Sequence, residues 1–238
     1  LTFLSDLVRE QALAADYKLP HATHAWSNRE LSKVGEVFFE TKNLSLNGNI
    51  SCATCHIDKL GSSDGLPNSI GIGGEGESIE RFRSGGRIIP RNSLSLFGVG
   101  GKGFRAFFWD GRVERRDAKI KSPFGNEPPV DDALVVAVHL PVAEIRETLQ
   151  EDDFVSAHKL ETVEAANQVY AAVVKKLTAR EPKAMLNLAS ATGKPLDALK
   201  MEDVASALAE FIRDKFRLRP SKFSQFMMKV KNVFCQYV

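Results

Sequence analysis

Cysteine is scarce in this chain: three among 238 residues, at Cys52, Cys55 and Cys235. An odd count, with two of the three close together, argues against a disulfide framework. No run of 18 apolar residues occurs, so no membrane-spanning helix is expected. Charge of one sign is also lacking. The net value of +2 gives no reason to expect a nucleic-acid partner. Neither an internal repeat nor a convincing pair of strands can be read. The chain opens at Leu1 with no initiator Met and no signal peptide, as a mature, processed protein or a trimmed piece would.

What is present is helical patterning around an irregular middle. Residues 1–40 read as two helical pieces broken near Pro20. The second runs from an N-cap at Ser27 to Phe39, with Leu31, Val34, Val37 and Phe38 at helical spacing. Residues 61–103 hold 12 of the 17 glycines and show no period. So long a loop in a compact domain needs something to order it, and a large prosthetic group would do so. Later, Asp131–His139 and Val142–Gln150 read as helices flanking Pro141, which would open the second. Glu164–Leu177 places Ala166, Val169, Tyr170, Val173 and Leu177 on one face. Glu202–Arg213 does the same with Val204, Ala205, Leu208, Phe211 and Ile212. The expected fold class is mainly α. Residues 1–130 form the core unit with its long Gly-rich loop, and 131–238 form a helical extension packed on it. The extension ends in a basic tail (Arg213, Lys215, Arg217, Arg219, Lys222, Lys229, Lys231), read as a solvated end or as a dock for an acidic partner.

One stretch carries chemistry. Cys52-Ala53-Thr54-Cys55-His56 has the C-x-x-C-H spacing of covalent c-type haem attachment. Two thiols must reach two vinyl groups on one edge of the porphyrin, and the next residue is then placed under the ring as an iron ligand. A zinc site would want further Cys or His pairs, and a thioredoxin-like pair would want a βαβ context; neither is visible. Haem c is attached outside the cytoplasm in bacteria, so a periplasmic protein is expected.

The surroundings of the motif narrow the reading. The segments Val34-Gly35-Glu36-Val37-Phe38-Phe39, Leu44-Ser45 and Ile50 to His56 resemble the bacterial di-haem cytochrome c peroxidase family, which includes the MauG enzymes. So do Asp64 to Gly71, Pro90-Arg91-Asn92-Ser93 and Phe107-Phe108-Trp109-Asp110-Gly111-Arg112, the last being the most specific. The resemblance is strong over about residues 30–130 and loose beyond. It implies a cytochrome c-like domain whose haem reacts with hydrogen peroxide. Electrons would come from a small cytochrome or cupredoxin donor, or from a second haem-bearing chain. It further implies Trp109 on the electron route, Asn92 as a ligand to an interdomain calcium, and a distal-side glutamate, for which Glu127 is the nearest candidate.

Four departures accompany the resemblance. A single C-x-x-C-H is present. Ile72 stands where classical members keep a removable histidine ligand, which suggests an open haem without reductive activation. Lys119 lies nearest the place of an expected glutamine. Glu127 sits in Asn126-Glu127-Pro128-Pro129, about two positions from a gapless match.

Other residues carry weaker expectations. Of Arg81, Arg83, Arg87 and Arg91, the best match to a haem propionate is Arg91, in the matched Pro-Arg-Asn-Ser segment. Asp110 and Arg112 would pair across Gly111. His21 and His24 read as a surface pair, and His139 and His158 as structural. Met185, Met201, Met227 and Met228 are core fillers or sixth ligands. Cys235 is a buried thiol or a bridge between two copies. Three functions remain in play: a peroxidase-type enzyme, an electron-transfer subunit without peroxidase activity, and a degenerate sensory or structural module.

Overall fold

The computed structural model describes residues 2–17, 27–149 and 162–228. The fold is mainly α, as the sequence implies. Helix α1 spans Thr2–Ala14 and α2 spans Arg29–Glu40. The N-cap of α2 is Asn28 rather than Ser27: its side-chain oxygen accepts from the Glu30 and Leu31 amides, meeting two of the helix's orphan donors. A single turn, α3, covers Cys52–Cys55, and a short α4 covers Ile79–Arg83. Then come α5 (Ala133–Val142), α6 (Val163–Arg180), α7 (Pro182–Thr192), α8 (Met201–Lys215) and α9 (Lys222–Met228).

Among the described elements, α2 and α8 make the most extensive contact. The apolar stripe of α2 supplies buried Val34, Phe38 and Phe39; that of α8 supplies Val204, Ala205, Leu208, Phe211 and Ile212. Gly35 lets the two backbones touch: a Cβ there would overlap the Ala207 carbonyl and crowd the Phe211 Cβ. The aromatic side of this crossing collects Phe39, Phe211 and Phe216, with ring centroids 5.1 to 6.2 Å apart. It faces the Cys-His turn, the Phe39 ring lying 6.2 Å from His56.

The remaining helices brace this pair. Helix α5 is apolar on all sides and buries seven of its ten residues. Its N-cap Asp132 takes the Leu134 and Val135 amides, and also both oxygens' worth of Arg213 at 2.7 and 2.6 Å. From α6, Lys176 donates to the Ser45 and Leu46 carbonyls, fixing the chain just ahead of the motif.

Four expectations change. Val142–Gln150 is not a helix within its described part. Pro141 lies inside the last turn of α5, and residues 144–149 double back: the Arg146 amide bonds the Leu149 carbonyl, and the Thr148 hydroxyl bonds the Pro141 and Val142 carbonyls. The apolar spacing of Val142, Ile145 and Leu149 imitates a helix but serves a turn. A small antiparallel sheet, absent from the sequence reading, joins β1 (Ala106–Phe107), β2 (Val113–Arg116) and β3 (Lys119–Lys121). Its strands are too short for an alternation to show. Helix α7 was also missed, although Pro182 near its start and left-handed Gly193 just past its end mark it. Lastly, the first basic residues of the tail carry ion-pair partners, with Lys215 and Arg217 still half-exposed. Arg213 bonds Asp132 and Glu210, Lys215 bonds Asp58 at 2.8 Å, and Arg217 approaches Asp214.

Gly35→Ala tests the crossing. Overpacking at a backbone contact should cost about 2–3 kcal/mol, read as a lower urea midpoint at unchanged slope. An unchanged midpoint would mean the helices are not held so close. A buried imidazole gives a pH test. His139 is 1% exposed and its pKa is lowered by burial. The unfolded chain therefore binds more protons below its ordinary value of about 6.5. Stability is present above that pH and lost as pH falls through the folded value, by up to about tenfold in the folding constant per pH unit. His139→Gln should flatten this part of the urea-midpoint profile between pH 7 and 5; an unaltered profile would refute the assignment.

Candidate functional site

The Cys52–Cys55 turn is closed by a reciprocal cap. The Ser51 amide donates to the Thr54 hydroxyl, and the two hydroxyls meet at 3.1 Å. One helical turn sets both thiols on a short arc, and His56 follows as the C-cap. Both cysteines are free rather than joined. Burial, helped by the Glu147 carboxylate, pushes each thiol up to about 12.

His56 is aimed by the loop that follows. Its Nδ1 lies 2.9 Å from the Ser62 carbonyl. A carbonyl only accepts, so the Ser62 contact favours the tautomer protonated on Nδ1, in which Nε2 would be the metal-binding nitrogen; the Leu94 backbone also bears on the ring. Burial lowers the imidazole pKa, which favours that neutral form. Ser62 adopts a left-handed backbone (φ 57°) to present its carbonyl.

Serines sew the Gly-rich loop onto the motif. The Ser93 hydroxyl donates to the Cys55 carbonyl at 2.9 Å and accepts from the Asp64 amide at 2.9 Å. The Ser63 hydroxyl donates to the Ser93 carbonyl, and the Leu96 amide donates to the Ser62 hydroxyl. Thus the region without a period is ordered by point contacts.

Cys52, Cys55 and His56 are half-buried, and His56 borders a cavity. On one side of His56 a cavity of about 740 Å³ opens, bounded by Glu36, Glu40, Thr54, Asp58, Arg81 and Lys215. The Ile70–Ile72 segment of the loop lies against Cys55, whose sulfur is 3.8 Å from the Ile70 carbonyl. Paired unjoined thiols, an adjacent imidazole and a cavity beside that imidazole fit a thioether-bound haem.

The other singled-out residues fall elsewhere. Arg91 is half-exposed and bonds Asp110 at 2.9 Å. The buried arginine of the loop is Arg81, 3% exposed, which donates to the Ile70 and Gly71 carbonyls and so props the wall over Cys55. Trp109 is 60% exposed and donates from Nε1 to the Asn92 carbonyl at 3.3 Å. Asp110 and Arg112 do pair, through three side-chain contacts of 2.8 to 3.1 Å around left-handed Gly111. That ion pair, with Arg91, holds the Asp110 carboxyl well below the usual range. Glu127 is exposed and lines a separate cavity of about 1000 Å³ with Phe124, His139, Tyr170 and Glu202, none of them in the motif. Lys119 is exposed on β3, and Ile72 is buried beside the motif loop. Met185, Met201 and Met227 are buried, the first two in the helical core. His21, His24, His158 and Cys235 lie outside the described residues. No group of three or more His, Cys, Asp and Glu side chains suited to a metal ion occurs among the described residues.

Sequence reasoning missed Glu147. It lies in the stretch read as a helix, and nothing local marks it. Folding carries it to the motif, where its charge bears on both Cys52 and Cys55.

The family model described as di-haem cytochrome c peroxidase matches residues 29–232, and the chain belongs to that family. Its members bind c-type haem. The chain is 31% identical over 116 residues to methylamine utilization protein MauG of Methylorubrum extorquens, covering 47% of this chain and 29% of that one. It is 29% identical over 126 residues to cytochrome c551 peroxidase of Pseudomonas aeruginosa, covering 51% and 32%. The matches thus span about a third of these relatives' length. A crystal structure of a MauG-like protein associated with microbial copper homeostasis shares the fold, with TM-score 0.51 and 18% identity, over 90% of this chain and 47% of that one.

Ser93→Ala tests the serine stitching. It removes a donor to Cys55 and an acceptor for Asp64, and should cost about 1–3 kcal/mol of stability, read as a lower thermal midpoint of the haem-loaded protein. An unmoved midpoint would show that the loop is held by other contacts.

Proposed function

We propose that this chain is a haem-c peroxidase unit that reduces hydrogen peroxide at one haem, joined to Cys52 and Cys55 and ligated by His56. The observation that carries the reading is the Cys52–Cys55 turn with unjoined thiols, next to an imidazole whose Nδ1 proton is held by the Ser62 carbonyl. The overall reaction is one peroxide, two electrons and two protons giving two waters. The bound haem would supply an iron able to take electrons singly and to bind an oxygen ligand.

The chain's own residues do the rest. Ser62 fixes the imidazole tautomer, and the Phe39, Phe211 and Phe216 rings pack its side of the site with apolar surface. Ile72 offers no nitrogen to the iron, which favours an open coordination position. Electron entry is assigned to the face carrying Trp109, whose side chain is well exposed. A small cytochrome, a cupredoxin or a second haem unit would approach there. Asn92, bonded to Trp109 through its carbonyl, is where a calcium ion between two such units would sit. Peroxidase relatives and haem attachment favour the periplasm. Among the described residues, no helix is long and apolar enough to cross a membrane.

A second reading, electron transfer without peroxidase activity, is favoured by the exposed Trp109 face alone. One measurement separates the two. The ferric protein should show a high-spin spectrum that changes on adding one equivalent of peroxide. A low-spin spectrum at every pH, untouched by peroxide, would replace the first reading with the second.

A further inference from the structure

Two buried charges of opposite sign converge on Cys55. The first is Asp64, 2% exposed. Its amide donates to the Ser93 hydroxyl at 2.9 Å, and that hydroxyl donates to the Cys55 carbonyl at 2.9 Å. A single serine oxygen therefore separates the Asp64 backbone from that of Cys55. The carboxylate is turned inward. Its Oδ1 accepts from the Leu66 amide at 3.1 Å, while Oδ2 is sealed from solvent with no hydrogen-bond partner. Burying a carboxylate oxygen in this way is costly, and a buried group left unpaired calls for a reason beyond packing.

The second charge is Arg81, which reaches Cys55 by another relay. Its Nε donates to the Ile70 carbonyl at 3.2 Å, and the Cys55 sulfur lies 3.8 Å from that same oxygen. Its Nη2 donates to the Gly71 carbonyl at 2.6 Å. The chain is closed tightly here: a Cβ at Gly86 would stand 2.3 Å from Ile70 Cγ2 and 2.9 Å from the Arg81 carbonyl. Both of these acceptors are neutral carbonyls, so they hold the guanidinium in place without cancelling its charge, and a guanidinium stays charged at any working pH. Arg81 also borders the cavity beside His56. The two residues bear on the Cys55 thiol in opposite senses.

We infer that Asp64 and Arg81 are fixed buried charges that set the reduction potential of a haem bound at Cys55, Asp64 lowering it and Arg81 raising it. The inference rests on haem attachment at this motif and not on peroxide chemistry. Reduction of a haem iron removes one positive charge, so a nearby anion favours the oxidised form and a nearby cation the reduced form. Exposed charges are screened by salt over about 10 Å, whereas charges shielded from water are screened much less.

The test is the midpoint potential of the haem-loaded protein, read from its visible spectrum at set potentials. Asp64→Asn keeps the side chain's shape and an acceptor for the Leu66 amide but removes the charge. It should raise the potential by at least about 59 mV, a tenfold change in the one-electron constant. Arg81→Gln can still donate to a carbonyl and should lower the potential by a similar amount. Combining the two should bring it back toward the wild-type value, and added salt should leave each shift in place. Shifts of the same sign in the two single variants would show a loosened haem pocket rather than an electrostatic effect, and would overturn the inference. So would an unmoved potential in Asp64→Asn. If Asp64→Asn does not hold haem, Arg81→Gln decides alone: a fall supports the inference, and a rise or no change overturns it. The potential is readable whether or not the iron reacts with peroxide. A wild type inert to peroxide, with opposed shifts in the variants, therefore sinks the peroxidase reading and leaves this one standing.

Discussion

A single hydrogen bond, from His56 Nδ1 to the Ser62 carbonyl, organises the site. It decides which imidazole nitrogen can meet a metal, and it binds the Cys-x-x-Cys-His turn to a loop with no secondary structure to orient it. The bond is possible because Ser62 accepts a left-handed backbone, and because Ser93 and Ser95 hold the loop in place from the far side. Behind the imidazole, Phe39 and the rings of α8 supply the apolar wall. The α2–α8 crossing that presents those rings depends in turn on Gly35. Motif, loop and helix pair form one mechanical unit.

The same logic extends to the opposite wall. Gly71 and Gly35 each let backbone meet backbone, Gly71 against the Arg146 carbonyl and Gly35 against the Ala207 carbonyl beneath the aromatic cluster that faces the motif. Left-handed residues with side chains recur beside the site. Ser62 aims His56, Phe108 precedes Trp109, and Arg146 precedes Glu147. Each costs free energy that the surrounding contacts offset.

How much of this was legible depended on range. The haem motif is local, and its spacing alone assigns a chemistry. Helices α2, α6 and α8 declare themselves because one face of each is buried, so Val169, Tyr170, Val173 and Leu177, or Val204, Leu208 and Phe211, recur at helical spacing. The family followed from Phe107–Arg112 and the segments around the motif. What stayed hidden is set by tertiary contact. Ser62 is a small polar residue in a loop, and only folding makes its carbonyl a ligand-orienting group. Glu147 sits 91 positions from His56 in a stretch whose apolar spacing imitates a helix. Glu127, the glutamate nearest by position along the chain, lines a cavity with Phe124, His139 and Tyr170.

The most direct test of the account is where the porphyrin is attached. Proteolysis of the purified protein followed by mass spectrometry should find an iron porphyrin added to the peptide that contains Cys52 through His56, through two thioether bonds that survive acidified organic solvent. Recovery of that peptide unmodified, or with Cys52 and Cys55 joined as a disulfide, would contradict it.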